Sequence, residues 1–219
     1  TATPFCAPED GKLIGIITSL KDITELKLSS RKLERIIDEV IKALMSMVEF
    51  RDPYTSGHQE KVAEIAGQIA FKMGLPESQI KGIYTAAVIH DIGKIYVPSE
   101  FLTKPGRLTE IEFAIVKTHP EVGYQIVKSI EFQWPIAEII KQHHERLDGS
   151  GYPRGLKSKD ILLEARIIGV ADVVEAMSSH RPYRPSLGLD KALQEIAKHK
   201  GSLYDPQVVE ACLAIYQKS

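Results

Sequence analysis

The stretch IKGIYTAAVIHDIGK, residues 80–94, decides how the chain is read. Ile80, Ile83, Ala87, His90, Asp91 and Lys94 fall three, four or seven residues apart, the spacing of one helix face. The apolar members of that face point at a core, so the same face turns a histidine, a carboxylate and a lysine inward. Burying such groups without partners costs several kcal/mol each. A metal ion is the simplest single partner for all of them. For an isolated doublet, a structural His–Asp hydrogen bond is the plainer alternative. The pattern predicts a helix over 78–92.

Working outward, the preceding segment predicts a helix over 55–73, with Val62, Ile65, Ala66, Ile69 and Met73 inward. His58 lies one turn before Val62 on that face, and Gly74-Leu75-Pro76 ends the helix. Residues 98–106 read as a turn-rich connection. Thr109 and Glu112 form a capping box opening a short helix that stops at Thr118-His119-Pro120, and Pro120 suits the first position of the next. A helix from about residue 135 ends in His143-His144-Glu145, followed by a loop with Gly149, Gly151 and Gly155. A long helix over 159–178 is apolar nearly all round and therefore buried, yet it contains Asp172. Two last helices, over 188–199 and 206–217, follow, the second capped by Asp205 with Pro206 as its first residue.

Toward the N-terminus, residues 12–20 read as a short strand after a turn at Glu9-Asp10-Gly11. Asp22-Ile23-Thr24 then opens a helix running to about residue 50. Its positions 23, 26, 30, 33, 37, 40, 44 and 47 alternate by three and four, and seven of the eight are apolar. That heptad seam predicts a parallel homodimer through residues 23–47; a helix packed on its own domain is the alternative. Ile36, Ile41 and Val48 widen the stripe where the helix joins the globular core. Nothing past residue 24 reads as a strand.

The chain has 219 residues, a net charge of −1 and 43% hydrophobic residues, enough for one core plus a short extra piece. Near-neutral charge argues against binding DNA or RNA polymers. Two cysteines, Cys6 and Cys212, provide no disulfide framework, which favours a reducing, cytoplasmic setting. No apolar run approaches the roughly 18–20 residues of a membrane span, so no membrane contact is expected here. The opening Thr1-Ala2-Thr3-Pro4 reads as a cut from a larger parent, which itself can be membrane-attached.

The candidate metal ligands are His58, His90, Asp91, His119, His143, His144 and Asp172, using five of the seven histidines. Each alone has a plain structural explanation: a core histidine, a helix cap, one buried and one exposed ring. Asp172 is the hardest to explain that way, because a carboxylate in the most buried helix needs a strong partner. Jointly the set points to metal. Imidazole with carboxylate suits iron, manganese, zinc or nickel and argues against calcium. His199, near a helix C-terminus, reads as a residue complementing the helix dipole, and His180 has no evident role.

The order His58, His90-Asp91-x-x-Lys94, His119, His143-His144-Glu145, Gly151-Tyr152-Pro153, then Ala171-Asp172-Val173 and Arg181-Pro182-Tyr183-Arg184, resembles the HD-GYP family over residues 40–219. The resemblance implies an all-α HD-type bundle and a metal-dependent phosphodiesterase that opens cyclic di-GMP in bacterial second-messenger signalling. It implies two divalent ions, iron or manganese first, with zinc, nickel or magnesium as alternatives. It completes the ligand shell with the residues named above, with Asp91 bridging both ions, because a carboxylate has two oxygens. Lys94 is implied to neutralise the scissile phosphate, making Asp91 and Lys94 the catalytic pair. Gly151 and Tyr152 are implied to wall the substrate site, and Arg181 and Arg184 to hold its phosphates, as guanidinium suits phosphate oxygens. The strand, Asp22-Ile23-Thr24 and the seam helix resemble the C-terminal end of a PAS sensor and its signalling helix. The domains expected are therefore a PAS-like remnant over 1–22, a signalling helix over 23–50 and the phosphodiesterase over 51–219.

One position departs from the family. Some members have a glutamate one turn before the first histidine and bind a third ion; Tyr54 stands there in this chain. Neutral tyrosine is a poor ligand for a divalent ion, so two ions and mainly linear pGpG are expected, with GMP slow. Glu145 and Asp52 are the carboxylates that can substitute. Two further readings stay open: an HD phosphohydrolase for another nucleotide or cyclic dinucleotide, and a catalytically silent module acting through protein contacts.

Overall fold

A computed structural model of the protein describes residues 2–6, 13–18, 21–51, 57–179 and 186–217. The chain forms two compact units, Thr1–Lys42 and Ala43–Ser219. In the first, β1 (Ala2–Cys6) pairs antiparallel with β2 (Leu13–Thr18). Sequence reading has only the second strand. Pro4 hides the first, since proline argues against a strand unless it lies at an edge, as any strand of a two-stranded sheet does. The helix α1 (Thr24–Arg51) opens on Asp22, whose Oδ1 accepts the Thr24 N–H at 2.8 Å. Its seam residues Ile23, Leu26, Leu33, Ile37, Val40, Leu44 and Met47 are 42–68% exposed, whereas Met45 and Val48 at its far end are buried.

The second unit is helical: α2 (His58–Lys72), α3 (Glu77–Ile89), α4 (Ser99–Leu102), α5 (Glu110–Val116), α6 (His119–Val127), α7 (Ile136–Gln142), α8 (Leu163–Ser178), α9 (Leu189–Lys198) and α10 (Pro206–Tyr216). Helix α8 is the hub, packed by α2, α7, α9 and α10, with Ile167, Ile168, Val170 and Val174 buried around its circumference. Ile69 of α2, Ile83 of α3, Ile139 of α7 and Ile196 of α9 fill the space between. Each such side chain contributes about 1.5–3 kcal/mol of burial, which holds the helix ends in fixed positions.

Helix α4 lies in the segment read as a turn-rich connection, and three further elements of this unit differ from the sequence expectation. Helix α3 stops at Ile89, before His90-Asp91, and the chain tightens into a 3₁₀ turn over Ile92–Tyr96. A Cβ on Gly93 would overlap the backbone of His119 and Gly123, so this turn seats directly against α6, closer than a continuing α-helix with side chains allows. The helix expected over 159–178 begins only at Leu163, after a short 3₁₀ turn at Ser158–Asp160. Leu162 is extended there, and its N–H goes to Gln142 Oε1 at 2.8 Å, a tertiary bond that replaces a helical one. Helix α6 starts on His119 itself, with Pro120 second. The capping box at Thr109 and the Asp205 cap are as expected: Glu112 Oε2 accepts the Thr109 N–H at 2.7 Å, and Asp205 Oδ1 accepts the Gln207 N–H at 2.8 Å. No helix among the described residues is long and apolar enough to cross a membrane.

Candidate metal centre and active site

The ends of four helices and the middle of a fifth converge on one point. His58 is the first residue of α2, His90 and Asp91 follow α3, His119 opens α6, and His143 and His144 follow α7. Asp172 comes from the middle of α8. Their ligand atoms form three groups within which all lie no more than 4.8 Å apart: His119, His143 and His144; His58, His90 and Asp172; His90, Asp91 and His143. The third group shares His90 with the second and His143 with the first, which places Asp91 between the other two. All seven residues singled out from the sequence as metal ligands are brought together.

The histidines are aimed by their other nitrogen. The Nδ1 of His90, His119 and His143 lies 2.6, 2.7 and 2.5 Å from the carbonyl three residues earlier, at Ala87, Val116 and Ile140. A carbonyl only accepts, so each Nδ1 has the proton and each Nε2 is aimed inward. His119 Nε2 and His143 Nε2 then face one another at 3.3 Å. Burial first, and then neighbouring positive groups, keep both rings neutral: His119 is pushed down to about 4 and His143 well below its ordinary value. Two lone pairs at that distance repel unless a cation lies between them, so the donor set fits a divalent ion.

Both carboxylates are ionised. Burial raises Asp91, but Lys94 and His90 outweigh it and hold the group well below the usual range. Lys94 Nζ is 2.7 Å from Asp91 Oδ2; His90 Nε2 is 3.3 Å from that oxygen, and His119 Nε2 3.3 Å from Oδ1. Each Asp91 oxygen thus faces a different histidine. Asp172 is likewise held low against burial by its hydrogen bond to His58, whose Nε2 is 3.2 Å away. Burial works against charge on His58, but bonds to Asp172 and Glu175 prevail and lift it to about 9. A buried pair of ionised carboxylates needs positive partners, and Lys94 reaches one of them.

Glu175 is the residue that sequence reading missed. It is buried, and its Oε2 makes a short hydrogen bond to His58 Nδ1 while Oε1 accepts from Ser179 Oγ at 2.5 Å. The available signal was a second carboxylate three residues after Asp172 on the most buried helix. Glu175→Ala is expected to leave the fold intact and to weaken metal binding about 10–100-fold, the usual effect of removing a histidine's orienting partner. Metal titration followed by calorimetry checks this.

The Gly151-Tyr152-Pro153 loop folds back onto the end of α7. The Tyr152 ring leans on His144 at 4.7 Å between centroids, with Phe113 of α5 edge-on at 6.4 Å. The Tyr152–Pro153 peptide is cis. A Cβ on Gly151 would overlap the backbone of 144–146, which is a structural reason for glycine there. Glu145 is committed to the same loop: its two oxygens accept the Arg154 N–H at 2.8 Å and the Leu156 N–H at 2.9 Å. That use counts against Glu145 as a ligand for a third ion. Asp52, Tyr54, His180, Arg181 and Arg184 lie outside the described residues. His199 caps the end of α9, 3.5 Å from Glu195, away from the centre.

A family model described as an HD domain matches residues 42–208. Two curated relatives are similar over most of this chain. The "cyclic di-GMP phosphodiesterase response regulator RpfG" of Xanthomonas campestris pv. campestris is 42% identical over 86% of this chain and 50% of its own length. The "cyclic di-GMP phosphodiesterase" of Thermotoga maritima is 45% identical over 83% of this chain and 50% of its own. The chain therefore spans about half the length of these relatives. A solved structure of a cyclic GMP-AMP-specific phosphodiesterase of Vibrio cholerae superposes with a TM-score of 0.53, at 30% identity, covering 82% of this chain and 41% of that one.

Proposed function

Since the chain belongs to the HD domain family, we propose that it is an HD-GYP-type phosphodiesterase that opens cyclic di-GMP with two divalent ions. The observation supporting this most is the set of three overlapping ligand groups joined through Asp91. In this reading His119, His143 and His144 hold one ion, and His58, His90 and Asp172 the other, with Asp91 between. Iron or manganese is the first choice for such donors. Bound ions would supply Lewis-acid polarisation of the phosphate and a nucleophile from water near neutral pH.

The chain's own residues do the rest. Lys94 Nζ stands at Asp91, where it adds positive charge for the phosphoryl oxygens as charge builds in the transition state. Asp91 and Asp172 stay ionised, so neither competes for a proton with the water to be activated. Tyr152 remains a neutral phenol, since burial raises it above its ordinary value, and its ring offers a face for a nucleobase. Arg181 and Arg184 are proposed from the sequence alone as phosphate holders, and Gly151 as part of the same wall. Residues 1–22 are read as the end of a PAS-like sensor and 23–50 as a signalling helix that pairs with a second copy. The setting proposed is bacterial cytoplasm.

The similarity to a cyclic GMP-AMP-specific enzyme supports a second reading, in which the hybrid cyclic dinucleotide is the substrate. One assay tests both. Manganese- or iron-loaded protein is given cyclic di-GMP, cyclic GMP-AMP and linear pGpG in parallel, and products are separated by chromatography. Cyclic di-GMP is expected to be cut fastest and to accumulate as pGpG, because Tyr54 replaces the carboxylate that would hold a third ion. Faster cleavage of cyclic GMP-AMP favours the second reading. Conversion of pGpG to GMP at the rate of the first cut overturns the two-ion argument, and no cleavage of any cyclic dinucleotide overturns the function.

A further inference from the structure

His58 and Lys94 come from different elements, yet the last turn of α1 holds the backbone beside each. Glu49 Oε1 accepts the Gly57 N–H at 3.0 Å, and Gly57 directly precedes His58. Arg51 donates from Nη1 to the Ile95 carbonyl at 2.5 Å and from Nη2 to the Val97 carbonyl at 3.3 Å, and Ile95 directly follows Lys94. Met45 and Val48, in the last turns of α1, are buried, so the segment supplying both bonds is packed within the second unit. The target of Arg51 is also well defined. Val97 is fully buried, its N–H bonds the Lys94 carbonyl at 3.0 Å, and the Lys94 N–H bonds the Asp91 carbonyl at 2.9 Å. The far side of this 3₁₀ turn sits on α6 through Gly93, against the backbone of His119. A pull on Ile95 and Val97 is thereby taken up at Lys94, while the Gly93 contact holds the far side of the turn.

We infer that Glu49 and Arg51 are positioning residues that couple the orientation of α1 to the placement of His58 and Lys94. Two residues apart on a helix point about 200° apart. A rotation of α1 about its axis therefore moves the two side chains in opposite senses, one toward the α2 terminus and one away from the 3₁₀ turn. The output of such a rotation is a change in turnover without any movement of α8 or Asp172. The inference rests on the phosphodiesterase reading only for what is turned over; the mechanical link is separate from it.

The test uses the whole chain with Arg51→Ala, Arg51→Lys, Glu49→Ala and Glu49→Gln. Hydrogen exchange is read at the Val97 amide, with amides of α8 as the control for folding. In R51A, exchange at Val97 is expected to rise about tenfold, a local opening that leaves α8 protected. Turnover number should fall about tenfold with KM within about twofold and metal content unchanged, because Lys94 is displaced but the ligands are not. R51K, which can reach one carbonyl but not both, should lie between. E49A should weaken metal affinity through His58, while E49Q, which keeps an acceptor oxygen, should restore it. Unchanged Val97 exchange in both R51A and R51K overturns the inference, as does equal metal affinity in E49A and the unmodified chain. Should R51A lose protection in α8 as well, R51K decides. If the unmodified chain cuts no cyclic dinucleotide, the functional reading falls, while exchange and metal titration still decide the coupling.

Discussion

Replacing Asp91 by alanine is expected to abolish turnover and to strip most of the bound divalent metal. Each oxygen of this carboxylate faces a different histidine, at 3.3 Å in both cases, and no other side chain among the described residues links the two outer ligand groups in this way. In the two-ion proposal, its loss removes one ligand from each ion at once. It also removes the carboxylate 2.7 Å from the Lys94 ammonium, so less negative charge stands beside that cation. Repulsion between that charge and a divalent ion lowers affinity further. Turnover should fall by about a thousandfold or more, beyond the 10²–10³ typical of losing a single stabilising group. Elemental analysis should find fewer than one ion where the unmodified chain holds about two, by the two-ion logic of such sites. Full occupancy in the variant would show that Asp91 does not bridge.

The second large effect concerns assembly. Leu33→Asp combined with Val40→Asp is expected to convert a dimer into monomers. Seven apolar residues between Ile23 and Met47 are exposed at heptad spacing along one stripe of α1. Covering such side chains is worth about 1.5–3 kcal/mol each, and a parallel copy of the same helix presents the complementary stripe. An aspartate at two seam positions places like charges opposite one another in a desolvated interface, where pairing is not available. At micromolar concentration, light scattering should give twice the chain mass for the unmodified protein and the chain mass for the double variant. A monomeric unmodified chain would sink the idea, whatever the variant does.

How much was legible in the sequence follows from the range of the interactions concerned. The clustering of the candidate ligands could be read because each histidine sits where an apolar helical pattern begins or ends, and local periodicity reports that. The capping box at Thr109 and the cap at Asp205 are local in the same sense. The end of α3 was not legible. It depends on Gly93 meeting the backbone of His119, and no window around residue 90 contains that contact. Leu162 was misread as helical for the same reason, since its N–H goes to Gln142, twenty residues away. Glu145 shows the limit most clearly. As a carboxylate next to two ligand histidines it reads as a candidate ligand, and only the positions of Arg154 and Leu156 reveal its actual use. Glu175 was within reach, because a second acidic group inside an apolar helix demands an explanation as much as the first.

Glu145 has a consequence for how a ligand is met. Its carboxylate closes the loop from inside the protein, and His144 already supports the Tyr152 ring. Fixing a residue's backbone costs about 1–2 kcal/mol in conformational entropy. For residues 149–157 that cost is met during folding, by the buried Glu145 side chain and the two amides it accepts from, before any nucleotide arrives. In the proposed reading, a substrate docking against Tyr152 finds a wall already set and forfeits little of its contact energy to ordering it. The selectivity this proposal assigns to this side of the site is that of a rigid shape, which discriminates by exclusion, rather than that of a segment that closes around whatever it touches.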